Sequence, residues 1–389
     1  MKYCKKCVMP DTKPDLTFDD EGMCDACRSQ DKKDEEIDWA KREAELKEIL
    51  ERYKNKDGSN YDCIIPVSGG KDSTYQAWIM KEKYGMNPLC VTFEPTQMTP
   101  LGKENLENLR KIGLDLISIE KNPNVYKSMG RECFRRVGDH EWPNHVGIFT
   151  TPVRIAVSMK IPLIIWGENS QQEYGGPAAS RDSKHLNRRW LEEFGGLLGN
   201  RVEDMIGVDG ITQKDLVLYT YPTDEELQVS GTSGLFLGYY YKWNAKTQVD
   251  EILKIGFKVK ADGPVEGTYL DYENLDCNLV SIHDYMKYVK FGFGRATDHA
   301  CLDLRHGRMG RDEALRTIDK YDGKISEQKI KDFCEFYEMS REEFFKIVDS
   351  FTNKAIFKTD DEGHVVRDEN GQLINLMLKK EMERCGLKA

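Results

Sequence analysis

The 389-residue sequence has no long hydrophobic run, no excess of positive charge and no cysteine pattern typical of a disulfide-rich protein. Its densest apolar stretch, 161–166, is far too short to span a bilayer, so we expect no membrane association. The net charge of −10 disfavours a nucleic-acid partner, which needs a basic surface. The opening MKYCKKCVMP lacks the apolar segment of a signal peptide. An odd count of eleven cysteines then favours a cytoplasmic, reducing setting, in which clustered thiols bind metal.

Short apolar segments alternate with helical patterns through the first half of the chain. Because each segment lacks polar alternation and is followed by a helical stretch, the pattern predicts an α/β fold with a parallel sheet covered on both faces. A further strand is expected at 235–243, followed by mixed helices, a hairpin over 355–374 and a last helix. The predicted strands of the sheet are 62–67, 88–94, 114–120 and 161–166.

The sequence also predicts a division into four parts. Residues 1–30 contain four cysteines and form a metal-binding module, and residues 31–59 form a helical linker. Residues 60–185 contain the alternating strands and helices. Residues 186–389 are expected to form a mainly helical region that binds a substrate or partner.

Four cysteines near the N-terminus have the spacing of a metal site. They form two C-x2-C pairs separated by sixteen residues, so that two tight turns can meet around one tetrahedral ion. Four thiolates with no open position are typical of structural zinc, and an iron–sulfur cluster is the main competitor. We therefore expect about one zinc ion per chain. The predicted ligands are Cys4, Cys7, Cys24 and Cys27.

A glycine-containing loop, SGGKDS, lies between the first predicted strand and a helix. It matches neither the Walker A loop nor the dinucleotide-binding pattern. Two glycines nevertheless let backbone N–H groups approach an anion, and the following helix directs its positive end to the same place. Asp72 can hold a magnesium ion or cap the helix. The predicted anion-binding residues are Ser68, Gly69, Gly70, Lys71, Asp72 and Ser73.

SGGKDS after a strand resembles the PP-loop of the ATP pyrophosphatases, whose core is the adenine nucleotide alpha-hydrolase-like fold. Those enzymes grip the pyrophosphate that leaves when ATP is split at its alpha phosphate, so the resemblance implies an ATP-binding domain over 60–185. The segment after the fourth strand is similar to the G-x-N-x-x-x-E pattern of ammonia-dependent NAD synthetases, in which the acid helps to hold magnesium. The corresponding residues are Gly167, Glu168, Asn169 and Glu173.

The loop 68–73 and this segment after the fourth strand are the two predicted halves of the ATP site. The second half-site supplies the candidate magnesium ligand beside Asp72. The resemblance points to Glu173 or, failing that, Glu168. Thr92 and Phe93 end the second predicted strand and would face adenine or ribose, because ligands lie at the carboxyl ends of parallel strands.

Four separated segments together resemble the N-acetyl sugar amidotransferases, the WbpG and PseA proteins of surface-polysaccharide and flagellin-glycan pathways. The resemblance implies a ligase that converts an acetamido group of a sugar to an acetamidino group through an O-adenylyl intermediate, forming AMP and pyrophosphate. It also implies ammonia from a separate HisH-like glutaminase with a HisF-like cyclase homologue. The segments are CKKCVMPDTKPDLTFDDEGMCDACR, SGGKDS, GENSQQEYGG and FGFGRATDHACLDLRHGRMGRDEA.

The last of these segments is the expected binding site for the sugar substrate. That sugar is either free or linked to a nucleotide. Arg295 suits the carboxylate of an acidic sugar or the phosphates of a nucleotide-linked one. His299 is placed to move a proton during attack by ammonia. We therefore expect Lys71, Asp72, Arg295 and His299 to carry the chemistry.

Two alternatives remain open. A tRNA sulfur transferase with the same loop would need a reactive cysteine and a basic RNA-binding face, but Cys63 and Cys90 lie in predicted strands and Cys133 in a predicted helix. A non-catalytic zinc-knuckle interaction protein is the second alternative, and the intact SGGKDS loop speaks against it.

Overall fold

A parallel sheet lies at the centre of the fold. Its strands are β1 (Cys63–Pro66), β2 (Pro88–Phe93), β3 (Asp115–Ile119), β4 (Leu163–Trp166) and β5 (Ser233–Phe236). The computed structural model describes residues 1–177, 183–184 and 197–388, and the strand order is β3-β2-β1-β4-β5 with every neighbouring pair parallel. Because β1, β2 and β4 are apolar and almost wholly buried, helices cover both faces. The prediction of an α/β fold is confirmed.

Helices form most of the rest of the described chain, and none of those described is both long and apolar enough to cross a bilayer. The helices that precede β5 are α1 (Asp25–Glu35), α2 (Trp39–Tyr53), α3 (Lys71–Glu82), α4 (Pro100–Lys111), α5 (Pro123–Val137), α6 (Trp142–Met159), α7 (Ser170–Tyr174) and α8 (Asp224–Ser230). Those after β5 are α9 (Leu237–Tyr240), α10 (Ala245–Ile252), α11 (Val280–Phe291), α12 (Arg295–Arg305), α13 (Arg311–Tyr321), α14 (Glu327–Tyr337), α15 (Arg341–Phe351) and α16 (Leu376–Arg384). Short 3-10 turns are Val202–Met205, Val208–Gly210, Gln213–Leu216 and Leu253–Ile255.

The order of the strands creates a crevice between β1 and β4. The chain moves outward from β1 through β2 to β3, and then returns to the other side of β1 to form β4, where Ile64 pairs with Ile164. Such a reversal opens a cleft outside the carboxyl ends of the two strands, where α/β proteins bind ligands. The loop 68–73 follows β1 and the loop 167–169 follows β4, so both predicted half-sites border this cleft.

The N-terminal cysteine module shares a hydrophobic core with helices from the far end of the sequence. Val8 and Met9 are fully buried in one cluster with Ala300, Leu315 and Met382, which belong to α12, α13 and α16. The module therefore packs against the C-terminal helices. The predicted division into four parts stays a prediction, and its last boundary, at 185/186, lies outside the described residues.

The prediction of a strand over 235–243 is only partly right. β5 ends at Phe236, and Leu237–Tyr240 then form the short helix α9. The reason lies at Gly238, whose N–H donates to the carbonyl oxygen of Gly167 (3.1 Å). A Cβ atom at Gly238 would lie 3.1 Å from the Cα atom of the residue after Gly167. The chain turns there because its backbone packs directly on the loop that follows β4.

Candidate active site

The loop 68–73 has the conformation of an anion-binding turn. Gly69 adopts φ +86°, and a Cβ atom there would lie 2.6 Å from the carbonyl oxygen of Gly102 in α4, so that only glycine fits. The hydroxyl of Ser68 accepts from the N–H of Gly70 (3.3 Å), which holds the turn closed. Helix α3 begins at the next residue, and the first N–H groups of a helix have no partner within it. These groups and the positive end of α3 are the features that suit a turn to phosphate oxygens.

Lys71 and Asp72 lie at the start of α3 and face the cleft. The Nζ atom of Lys71 lies 2.6 Å from Oδ2 of Asp72 and 2.7 Å from Oε1 of Glu273, and all but a small fraction of its side chain is buried. Burial opposes the charge of Lys71, but these two carboxylates outweigh it and raise its pKa. The other oxygen of Asp72, Oδ1, is buried and has no hydrogen-bond partner among the described residues. Asp72 thus directs an uncompensated carboxylate oxygen to the place where phosphates would lie.

The loop after β4 brings a second acid to the same place. Burial and the nearby charge of Asp72 raise the pKa of Glu168 to about 8. Two carboxylates that repel each other in a partly buried cleft are suited to share a divalent cation such as magnesium. Asn169 is buried, and its carbonyl oxygen accepts from the N–H groups of Gln172 (2.9 Å) and Glu173 (3.2 Å) to begin α7.

The structure gives Glu173 a different environment. Its carboxylate forms a buried ion pair with Lys33 of α1, and its carbonyl oxygen accepts from Nη1 of Arg305 (2.7 Å). Glu173 therefore ties α7 to the cysteine module. That Glu173 holds magnesium stays a prediction. Its carboxylate charge is already compensated by the ammonium group of Lys33.

Thr92 and Phe93 lie at the carboxyl end of β2, as the sequence predicts, but their side chains are buried. The Phe93 ring packs on Gly147 of α6 and lies 5.7 Å, edge-on, from the ring of Tyr219. The hydroxyl of Thr92 is buried and has no hydrogen-bond partner among the described residues. Phe93 thus contributes to the core, and neither residue has a contact that identifies adenine or ribose.

Arg295 and His299 belong to α12 and meet the loop 68–73 through Glu273. Nη2 of Arg295 donates to Oδ1 of Asn274 (2.9 Å), and its Nε lies 3.8 Å from Oδ2 of Asp284. Nε2 of His299 lies 3.4 Å from the Glu273 oxygen that also contacts Lys71. Arg295 is partly exposed, whereas His299 is almost fully buried.

Glu273 is the residue at this site that the sequence analysis missed. It lies in the segment between α10 and α11 and carries no motif. Burial would raise its pKa, but the charges of Lys71 and His299 hold the pKa of Glu273 below its usual range. As an ionised carboxylate it joins the loop after β1 to the start of α12. Only its position in space identifies it.

The four N-terminal cysteines meet in a buried cluster. Their sulfur atoms all lie within 4.8 Å of one another, with Cys4–Cys27 at 3.9 Å and Cys7–Cys24 at 3.7 Å. Tetrahedral zinc with Zn–S bonds of about 2.3 Å separates its sulfurs by about 3.8 Å, which matches these distances. The four cysteines could therefore hold a metal ion such as zinc, and they are fully buried as a structural site requires.

Two arginines of the C-terminal helices hold this cluster. Nη1 of Arg311 donates to the carbonyl oxygens of Cys4 (2.8 Å) and Lys5 (3.2 Å), and its Nη2 donates to Glu381. Arg305 is buried beside the thiols while donating to the carbonyl oxygen of Glu173. A positive charge beside four thiolates offsets the negative charge of a Zn(Cys)4 centre. The cysteine cluster and α7 thus share one buried cation.

The thiols that a sulfur transferase would use lie in the core. Cys63 and Cys90 are fully buried in β1 and β2, and Cys133 is fully buried in α5. Burial raises the pKa of Cys90 to about 12 and that of Cys133 to about 12, which keeps both as unreactive thiols. None of these three has the low pKa and exposure of a sulfur-transfer cysteine.

Comparison with known proteins gives two partial matches. The chain is 36% identical over 135 residues to "Uncharacterized protein MJ1599" of Methanocaldococcus jannaschii, a match over 34% of this chain and 47% of that protein. The chain thus spans about half the length of the curated relative it matches. Residues 266–369 match the family described as "LPS biosynthesis protein WbpG-like, C-terminal domain". The segment that carries Glu273, Arg295 and His299 is therefore similar to the C-terminal domain of WbpG-like proteins.

Proposed function

We propose that this chain is an ATP-dependent amidotransferase of glycan biosynthesis. It would transfer AMP from ATP to the acetamido oxygen of a sugar and then replace the AMP with nitrogen from ammonia, leaving an acetamidino group. The similarity of 266–369 to the C-terminal domain of WbpG-like lipopolysaccharide-biosynthesis proteins supports the glycan setting. The acetamido substrate, the HisH-like glutaminase with its HisF-like partner, and a cytoplasmic site of action are parts of this proposal.

One observation carries the proposal. Glu273, within the WbpG-like segment, contacts both Lys71 at 2.7 Å and His299 at 3.4 Å. The anion-binding turn therefore opens onto the segment proposed to bind the sugar. Adenylylation needs this arrangement, because the alpha phosphate and the acetamido oxygen must meet in one water-poor cleft.

The residues of the chain have distinct tasks in this reaction. The N–H groups of the turn 68–73 and the ammonium group of Lys71 bind the phosphates and stabilise the charge that grows on the departing pyrophosphate. Asp72 and Glu168 fit a magnesium ion, which when bound would neutralise phosphate charge. Arg295, held by Asn274, orients an acidic group of the substrate.

An isosteric change at Asp72 tests the proposal. We expect wild-type protein to catalyse ATP–pyrophosphate exchange that requires an acetamido sugar, tested with UDP-N-acetylglucosamine, CMP-N-acetylneuraminate and the free sugars. Asp72→Asn should lower this exchange at least about 100-fold, because it removes the buried carboxylate oxygen. Asp57→Asn, in an exposed turn, is the control. Exchange that needs no sugar, or that survives in Asp72→Asn, contradicts the proposed function.

A further inference from the structure

Asp139 and His283 form a hydrogen-bonded pair that has no role in the adenylylation step described above. Asp139 is buried just after α5, and its Oδ1 atom lies 2.8 Å from Nδ1 of His283 in α11. The same oxygen accepts from the backbone N–H of Glu141 (3.0 Å), so the carboxylate is fixed from two directions. A carboxylate only accepts hydrogen bonds, so Nδ1 of His283 carries the proton and Nε2 has a lone pair.

The side chain of His283 is partly exposed, unlike that of His299. Its side chain is 27% exposed, whereas that of His299 is 3% exposed. Nδ1 of His299 is 2.7 Å from the hydroxyl of Thr268, and its Nε2 faces Glu273. Nε2 of His299 is buried and has no hydrogen-bond partner among the described residues. The partly exposed His283 has the orientation of a base positioned by a carboxylate.

Two sets of contacts connect neighbours of the pair to the proposed binding site for the sugar. Asp284, the residue after His283, accepts from Nδ2 of Asn274 (2.6 Å) and faces Arg295. Asn274 in turn follows Glu273, the carboxylate that contacts Lys71.

The second contact runs through Glu141. Its Oε1 atom accepts from the thiol of Cys277 (3.9 Å), and Cys277 follows Asp276, which accepts from Ser68 of the loop. The pair is therefore connected to the cleft through its neighbours in sequence, Asp284 on one side and Glu141 on the other.

We propose that His283, oriented by Asp139, is the proton-transfer residue for the attack of ammonia on the activated sugar. This inference rests on the proposed function. The lone pair of ammonia forms the new C–N bond while the C=N pair moves onto the imidate nitrogen. Nε2 of His283 takes one proton from the new ammonium group and returns it to that nitrogen. The C–O bond to AMP then breaks with its electron pair on oxygen, and a nitrogen lone pair completes the amidinium.

The surroundings of His283 suit this exchange of a proton. Burial works against the imidazolium, but the charge and hydrogen bond of Asp139 outweigh it and raise the pKa of His283. A transfer group works best when its pKa is near the working pH. The titratable groups around His283 are Asp139, His140, Glu141 and His145 from the α5–α6 region and Asp284 from its own helix. Lys290, also in α11, acts on the partner Asp139.

The test separates the two half-reactions in the full-length chain. His283→Gln should keep sugar-dependent ATP–pyrophosphate exchange within about threefold, while AMP release driven by ammonium chloride falls about 100-fold, the scale of general acid–base catalysis. Asp139→Asn should lower ammonia-dependent AMP release at least tenfold, because it disturbs the tautomer of His283. His364→Gln is the matched control, since His364 also lies beside an aspartate, 3.3 Å from Oδ2 of Asp360, but is exposed.

A pH series tells proton transfer from a structural role. The ratio of wild-type to His283→Gln rates should rise as pH increases through the titration of His283, because only the neutral imidazole accepts a proton. The ratio also cancels the titration of ammonia itself. A pH-independent ratio, an unchanged AMP release, or an equal loss of exchange and AMP release would overturn the role of His283. Wild-type protein without sugar-dependent exchange would overturn the proposed function, and this inference with it.

Discussion

Glu273 determines how the charges of the cleft balance. It is buried and contacts both Lys71 and His299, so its removal leaves the buried ammonium group of Lys71 with one carboxylate fewer. Lys71 still has Asp72 as an ion-pair partner in this variant, so its charge stays partly compensated. We therefore expect Glu273→Gln to lower the free energy of unfolding by about 1–3 kcal/mol at neutral pH. Urea denaturation measures this loss. Glu104→Gln, which removes an exposed partner of Lys258, should cost less than about 1 kcal/mol.

The same residue predicts a dependence on pH. The pKa of Glu273 is lower in the folded chain than in the unfolded one, where Glu titrates near about 4.3. Its stabilisation is therefore complete above that value and is lost as the pH falls through the folded pKa. The stability difference between wild type and Glu273→Gln should be full at pH 7 and smaller at pH 3. A difference that grows in acid would show that the carboxylate is not held ionised.

Gly69 offers a second test at the residue scale. Gly69→Ala places a side chain at φ +86° and 2.6 Å from the carbonyl oxygen of Gly102. Gly58→Ala has similar backbone strain, at φ +70°, with nothing within 4 Å. Strain alone costs about 1–2 kcal/mol in both variants, so a larger loss at 69 measures the contact with α4. Calorimetric titration with ATP should detect weaker binding only for Gly69→Ala.

The residues found by sequence are those in continuous motifs. Gly69 follows a strand and precedes a helix, so its special conformation is encoded locally. Glu273 and His283 act through partners far along the chain, at Lys71 and Asp139, and no local pattern specifies either pair. The sequence could therefore predict the turn between β1 and α3, but it could predict neither the carboxylate of Glu273 nor the imidazole of His283.

Among the elements, the segment after β4, which comprises the loop 167–169 and α7, carries two acids with different partners. Glu168 faces Asp72, whereas Glu173 pairs with Lys33 of α1. We expect Glu168→Gln to abolish magnesium-dependent AMP release without destabilising the fold. Glu173→Gln should retain that activity but lose about 3 kcal/mol of stability, because Lys33 becomes a buried charge without its partner.

The double variant Lys33→Met/Glu173→Leu is the control for this prediction. It removes both charges of the buried pair, so it should recover most of the stability that Glu173→Gln loses. Thermal unfolding and AMP release, measured on the same samples, separate the two acids. Activity that vanishes with Glu173 and persists without Glu168 would instead favour Glu173 as the magnesium ligand.

The elements that sequence predicts best are the strands of the parallel sheet. The strands expected at 88–94 and 114–120 occur as β2 and β3 within a residue or two, because short apolar runs between glycines and polar turns have few other solutions. The strand expected at 235–243 stops at Phe236, since Gly238 must approach the loop after β4. Tertiary contact thus overrides the β propensity of its tyrosines.

For the molecule as a whole, the cysteine cluster joins the N-terminal segment to the C-terminal helices. Arg311 donates to the carbonyl oxygen of Cys4, a contact across 307 residues, and Arg305 connects the thiols to α7. The paired C-x2-C spacing predicts the metal site but not this docking, because no local pattern records which helix covers it. Loss of metal should therefore affect helices far from the cysteines in sequence.

Cys24→Ser tests that coupling. The variant should lose the expected content of about one zinc per chain and more than about 2 kcal/mol of stability. Hydrogen exchange should become faster in Arg295–Arg305 and Arg311–Tyr321, which pack on the cluster, and stay unchanged in Arg341–Phe351, which belongs to another core. Cys385→Ser, outside the quartet, should keep both its metal and its exchange pattern. Unchanged protection in the first two helices would mean that the metal stabilises only the N-terminal module. If metal analysis finds iron and the protein absorbs visible light, the four cysteines hold an iron–sulfur cluster and not zinc.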